Sequence, residues 1–178
     1  LILLLGCSSS DTRILIKSTG EAQGSYYNIQ YLSDKNVDYQ IQIDSILLEI
    51  DSSLSIYNEH SLISKLNKGN VIKTDSLFNT VYFAAKKVYL ESKGNFDCTV
   101  GPLVKAWGLY KGISKEPLLL LDTFAFQSMS DYIGFNKINF LEDSLVLPKG
   151  MALDFNSIAQ GYTVDIISRF LESRGCVD

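Results

Sequence analysis

Histidine is almost missing from this sequence: His60 stands alone among 178 residues, so a His-rich metal centre is excluded. It lies in a polar stretch, Asn58-Glu-His-Ser61, that reads as an exposed loop or helix start. There is no run of Lys and Arg, and the net charge is -4, which argues against a nucleic-acid groove. No apolar stretch reaches the roughly 18 residues that span a bilayer. The phosphate-binding Walker loop, the dinucleotide glycine fingerprint and the Gly-x-Ser-x-Gly nucleophile elbow are all lacking. Cysteine is sparse, with three in the chain. Cys98 and Cys176 are far apart, and we expect two buried thiols there rather than a disulfide.

What is present is a globular composition, 46% hydrophobic and 20% charged, in a length that suits one domain. The chain opens Leu-Ile-Leu-Leu-Leu-Gly-Cys-Ser-Ser-Ser. An apolar run ending at small residues is the close of a secretory signal. Leu4-Leu5-Gly6-Cys7 resembles the bacterial lipobox, with Cys7 as the lipidated residue and the polar residues up to 12 as a tether. Lipid on Cys7 would anchor the protein to a membrane. The chain begins with Leu rather than Met and runs only three residues past Gly175, a candidate helix stop. We therefore expect a piece of a longer protein.

The spacing of apolar residues predicts a mixed α+β fold. Residues 14–16 and 26–32 read as strands, the second alternating Tyr27, Ile29 and Tyr31 against Tyr26, Asn28 and Gln30. Ile43, Ile46, Leu47, Ile50 and Leu54 form one helical face. A second helix starts near Thr74 or Asp75 and stops at Lys93-Gly94. Residues 95–112 read as loop and 118–130 as a third helix. Short strands are expected at 137–140, 144–147 and 151–154. The last helix runs from about Ile158 to Arg174, with Ala159, Tyr162, Ile166 and Phe170 inward.

Four segments carry residue types that a plain turn does not need. Gln23-Gly24-Ser25 is either a turn or a place where a ligand approaches bare backbone. Ser55-Ile-Tyr57 offers a ring that either stacks on a planar ligand or joins the core. Asn95-Phe-Asp-Cys-Thr-Val-Gly-Pro102 sets Asp97, Thr99 and Gly101 two residues apart, as a polar cradle or an Asx-type turn. Asp154-Phe-Asn-Ser-Ile-Ala-Gln-Gly161 joins an acidic residue to a helix start, which suits a hard cation and a phosphate, or simple capping.

Together these segments resemble the ApbE family, the FAD:protein FMN transferases, from Gly24 through Gly175. Phe96 to Gly108 follows that family's Phe-Asp-x-Thr-x-Gly-Pro-Leu-x-x-x-Trp-Gly pattern. Asp154 to Asp165 follows its Asp-Leu-Gly-Gly-Ile-Ala-Lys-Gly-Tyr-x-x-Asp pattern, with Asn156 and Ser157 for the two glycines and Gln160 for the lysine. Gln23 and Ser25 stand where the family has Met and Thr. The resemblance implies an α+β fold of mixed and antiparallel sheets with packed helices, T-fold-like, of which residues 13–178 form the N-terminal part. It implies Mg²⁺-dependent transfer of FMN from FAD to a Thr or Ser of a flavoprotein, with release of AMP. The partner would be a subunit of a membrane redox complex, on the periplasmic side of a bacterial envelope. Gln23, Gly24, Tyr57, Phe96, Asp97, Thr99, Asp154 and Gln160 would contact FAD. Asp154 and Ser157 would contribute to the metal, and Trp107 would pack. Further metal carboxylates are expected in the family's C-terminal half, so these 178 residues alone are expected to be inactive. FAD hydrolysis without transfer to a protein, and a surface lipoprotein without activity, are the alternatives.

Overall fold

The computed structural model describes residues 13–109 and 129–177. Cys7, the tether up to residue 12 and residues 118–128 of the helix expected over 118–130 lie outside the described residues, while residues 129–130 are helical.

The two expected N-terminal strands are longer than the apolar runs and form one hairpin. β1 (Ile14–Ala22) pairs antiparallel with β2 (Ser25–Ser33), and Ala22 opposite Ser25 leaves Gln23-Gly24 as a two-residue turn. Both turn residues have positive φ, 53° and 72°, the twist a tight hairpin requires. The alternation in β2 holds: Tyr31 is buried while Tyr26 is 82% exposed. Gly20 lies under Tyr27, whose ring would overlap any Cβ placed there.

α1 (Gln40–Leu54) follows, then α2 (Leu62–Asn67), which begins right after residues 58–61, the stretch expected to be an exposed loop or a helix start. Ser61 starts α2 by accepting from the Ser64 amide at 3.0 Å. α3 (Ser76–Glu91) begins at Asp75, whose carboxylate accepts from the Phe78 amide at 2.7 Å, one of the two caps expected. It ends as expected at Lys93-Gly94, where the Gly94 amide returns to the Tyr89 carbonyl. The stretch expected to be loop after residue 95 contains α4 (Gly101–Ala106), with Pro102 in its first turn where no N–H is needed. Six residues are too few to show a helical period, which is why both α2 and α4 escaped the pattern.

The expected strands after residue 137 contract. Phe135–Lys137 is a 3₁₀ turn, and β4 (Phe140–Leu141) and β5 (Ser144–Leu145) pair antiparallel, with β3 (Ile72–Lys73) on the other side of β5. The third expected strand, 151–154, is only a parallel bridge between Ala152 and Val100. α5 (Asn156–Ser173) ends with the Cys176 amide on the Leu171 carbonyl and Gly175 in the left-handed region, as expected. Its inner face is turned from the expected one. Thr163, Ile167 and Leu171 are buried with Ala159, while Tyr162, Ile166 and Phe170 are half-buried flanks. The apolar stripe is wide, and packing on both sides places its centre one residue later.

Two cores result. The larger joins Ile50 and Leu54 of α1, Phe78 and Tyr82 of α3, and Leu153 and Phe155. The smaller lies under the hairpin, where Tyr31 meets Ile43, Leu47, Ile167 and Leu171. Fully burying one such side chain stabilises the fold by roughly 1.5–3 kcal/mol. α1 and α5 contribute to both cores, and the hairpin turn comes down where they meet. Cys98 and Cys176 are free and buried, as expected.

Candidate functional site

The third and fourth segments lie side by side. The Asp154 amide donates to the Cys98 carbonyl at 2.7 Å, and Val100 bridges Ala152 two residues on. Gly101 permits this approach, because a Cβ there would stand 2.9 Å from the Ala152 carbonyl oxygen. Cys98 is enclosed between the two segments. Its thiol is pushed up to about 12, first by burial and then by the negative charges of Asp154 and Asp97, against a hydrogen bond from Ser157. A thiol held neutral this way is no nucleophile. It does mark how close Asp97, Asp154 and Ser157 stand.

Asp97 and Thr99 are bonded within the protein. Asp97 Oδ1 accepts from the Thr99 amide at 2.8 Å and from the Thr99 hydroxyl at 2.7 Å. The Thr99 hydroxyl accepts from the Gly134 amide at 2.7 Å, and Asp97 Oδ2 from the Phe135 amide at 3.3 Å. Thr99 is fully buried, and Phe96 packs on the larger core. This bracket ties the segment to residues 134–135. Asn67 makes a second bracket, accepting from the Leu153 amide and donating to its carbonyl, each at 2.8 Å. Trp107, expected to pack, is 40% exposed.

Asp154 is buried just before α5, and its Oδ1 accepts from the Asn156 amide at 2.8 Å. The Ile158 and Ala159 amides both reach the Phe155 carbonyl. Three of the amides expected to face a phosphate are therefore engaged in starting the helix.

Beside this start lies a narrow slot. Ile50, Leu54 and Ala159 supply its apolar lining, and Gln23, Ser55, Tyr57, Asn156 and Gln160 its polar rim. Gln23 reaches across from the hairpin turn, donating from Nε2 to the Thr163 hydroxyl at 2.6 Å. Tyr57, 43% exposed, stands at the rim, and Gly24 lies beside it. Ser55 shapes the turn before Tyr57: its carbonyl accepts from the hydroxyls of Ser61 and Ser64, both buried.

Tyr57 also borders a larger cleft of about 860 Å³ that runs past Asn67 and Gly101 to residues 147–152. Lys68, Lys105 and Lys149 line it. Sequence reasoning missed these three because they come from three separate elements and form no run.

Gln23, Gly24, Tyr57 and Gln160 thus gather at the slot, while Asp97, Thr99, Asp154 and Ser157 gather around Cys98. The slot itself, about 20 Å³, is too small for a ring; the exposed Tyr57 face at its rim and the lysines of the larger cleft suit a planar ring system carrying phosphates that lies along the surface beside it. A magnesium ion asks for six oxygens. Among the described residues no group of three or more His, Cys, Asp or Glu stands close enough to hold a metal. Asp154 and Ser157 alone would not complete such a shell.

Comparison with known proteins gives the family and the fold. The model of the ApbE family matches residues 23–178. The chain is 27% identical to the FAD:protein FMN transferase of Vibrio cholerae, over 98% of its own length and 54% of that protein's. It is 26% identical to the Haemophilus influenzae protein of the same name, over 96% and 52%. The solved flavin transferase ApbE from Vibrio cholerae superposes with a TM-score of 0.83 at 25% identity, covering 92% of this chain and 55% of that one. The ApbE protein from Thermotoga maritima, at 20% identity and a TM-score of 0.77, shares the fold. The chain spans about half the length of these relatives.

Proposed function

Because this chain belongs to the ApbE family, we propose that the whole protein is an FAD:protein FMN transferase. A Thr or Ser hydroxyl of a target flavoprotein attacks the FMN phosphorus of FAD. The new P–O bond forms as the pyrophosphate bond breaks, AMP leaves, and the hydroxyl proton is released. Such a transfer depends on holding the two partners in line and on offsetting phosphate charge.

The convergence of Gln23, Tyr57 and Gln160 on one slot at the start of α5 carries this reading. Tyr57 packs on a ring of FAD, with Gln23 and Gly24 alongside it. Phe96, Asp97 and Thr99 form the wall on the adenine or ribose side. Because the Asp97 and Thr99 side chains are bonded internally, they act there by shaping the backbone. Asp154 and Gln160 face the pyrophosphate. Mg²⁺, when bound, neutralises phosphate charge, and Asp154 with the Ser157 carbonyl is this chain's contribution to holding it. Cys7 carries the lipid anchor in the tether of residues 1–12, residues 13–178 form the N-terminal part of the transferase domain, and the target is a redox-complex subunit at the outer face of a bacterial membrane.

The test uses the full-length protein without its anchor, mixed with FAD, Mg²⁺ and a candidate flavoprotein subunit. An FMN-sized mass gain on the subunit, lost in Asp154→Ala, is the expected result. Free FMN and AMP with no adduct would point to hydrolysis instead, and no FAD consumption would sink the enzymatic reading.

A further inference from the structure

Building on that reading, we propose that Thr163 is a positioning residue. It fixes the Gln23 carboxamide so that its carbonyl oxygen faces the slot and accepts a hydrogen bond from an N–H group of the bound flavin nucleotide.

The argument starts from one proton. Thr163 is buried, and its hydroxyl donates to the Ala159 carbonyl at 2.8 Å, one turn back along α5. A hydroxyl has a single hydrogen, so toward Gln23 it can only accept. With the hydroxyl donating to Ala159, the hydrogen-bond network assigns the Gln23 atom 2.6 Å away as the NH₂ group. The carbonyl oxygen must then point away from Thr163. Among the described residues no hydrogen bond reaches that oxygen, while Gln23 lines the slot. The backbone beneath is also set, since Gln23 occupies a two-residue turn whose strands pair in one register.

An acceptor at the rim of an apolar-lined slot is stronger than one in open water, and it selects a donor. Two parts of a flavin nucleotide qualify: the ring imide N–H and the adenine amino group. Methionine, which the family has at this position, would offer no comparable acceptor, so the Gln23–Thr163 pair gives this chain a contact of its own.

The experiment measures dissociation constants on the full-length protein without its anchor. Riboflavin is compared with N3-methylriboflavin, and AMP with N6,N6-dimethyl-AMP, in the wild type, Gln23→Met, Thr163→Val and Thr163→Ser. In the wild type one methylated probe binds about fivefold more weakly than its parent, the loss of one hydrogen bond. That pair identifies which donor is read. The gap closes to within about twofold in Gln23→Met and Thr163→Val, returns in Thr163→Ser, and in a protein carrying both Gln23→Met and Thr163→Val is no smaller than in Gln23→Met alone. A gap that persists in Thr163→Val means the methyl group merely collides with the protein, and overturns the proposal. A wild type that binds FAD but shows no gap for either pair overturns it while leaving the transferase reading intact. A wild type that binds neither FAD nor its parts overturns both.

Discussion

Asp97–Thr99 and Asn156–Gln160 are two short segments with polar side chains at both ends, packed close together, and their polar atoms face opposite ways. In the first, the side chains bond inward: one carboxylate and one hydroxyl collect the amides of Thr99, Gly134 and Phe135. In the second, Asn156 and Gln160 are exposed and border the slot. The difference lies in the neighbouring backbone. Residues 134–135 present two amide donors to the first segment, and an amide cut off from water needs an acceptor. The second sits on the outer side of a helix start whose own amides already bond to Asp154 and Phe155. Residue type alone does not say whether a polar side chain supports the fold or meets a ligand.

Asp97→Ala is the strongest attempt to break this contrast. It leaves the Thr99 and Phe135 amides and a fully buried hydroxyl without their acceptor, and stability should fall by about 3 kcal/mol, read from the urea midpoint. A loss below roughly 1 kcal/mol would mean that water replaces the carboxylate and the bracket is not structural.

A second test uses alkali. Burial holds Tyr82 up to about 12, above its ordinary value of 10, and Cys98 up to about 12, above its ordinary 9. Both groups are neutral when protonated, so the folded state holds these protons more tightly than the unfolded chain. Their contribution is complete below pH 9, declines as pH rises, and is gone once pH passes 12. Denaturation followed between pH 8 and 12 should show that decline, with Cys98 unreactive toward thiol reagents at pH 8. Stability that stays flat across this range would contradict the burial of both groups.

Gln160→Ala should change least in the fold. An exposed side chain with a polar rim position is worth within about 0.5 kcal/mol of stability, while FAD affinity should drop several-fold. Equal stability losses for Gln160→Ala and Asp97→Ala would erase the contrast between the two segments.

The long amphipathic elements were legible from the sequence because their apolar spacing repeats over several turns. α1, α3 and the alternation of β2 follow directly from it. α2, α4 and the contracted strands near β4 and β5 were not, since elements of two to six residues contain less than two periods of any pattern. The four candidate segments were visible as unusual residue combinations, but their grouping was not. Gln23 and Thr163 are 140 positions apart, and no local rule pairs them.

The sequence by itself determined the α+β class, the main helices with a start at Thr74 or Asp75 and a stop at Gly175, and the family. Each of these depends on local spacing, local backbone preference or a contiguous motif. Only the tertiary structure decided that Asp97 and Thr99 bond inward, that the centre of the α5 stripe falls at Thr163 and Ile167, and that Gln23 crosses to α5 at the rim of the slot. Those outcomes depend on which backbone amides and hydroxyls arrive opposite a side chain once distant segments pack, and burial makes each such encounter binding by removing the water that would otherwise satisfy it.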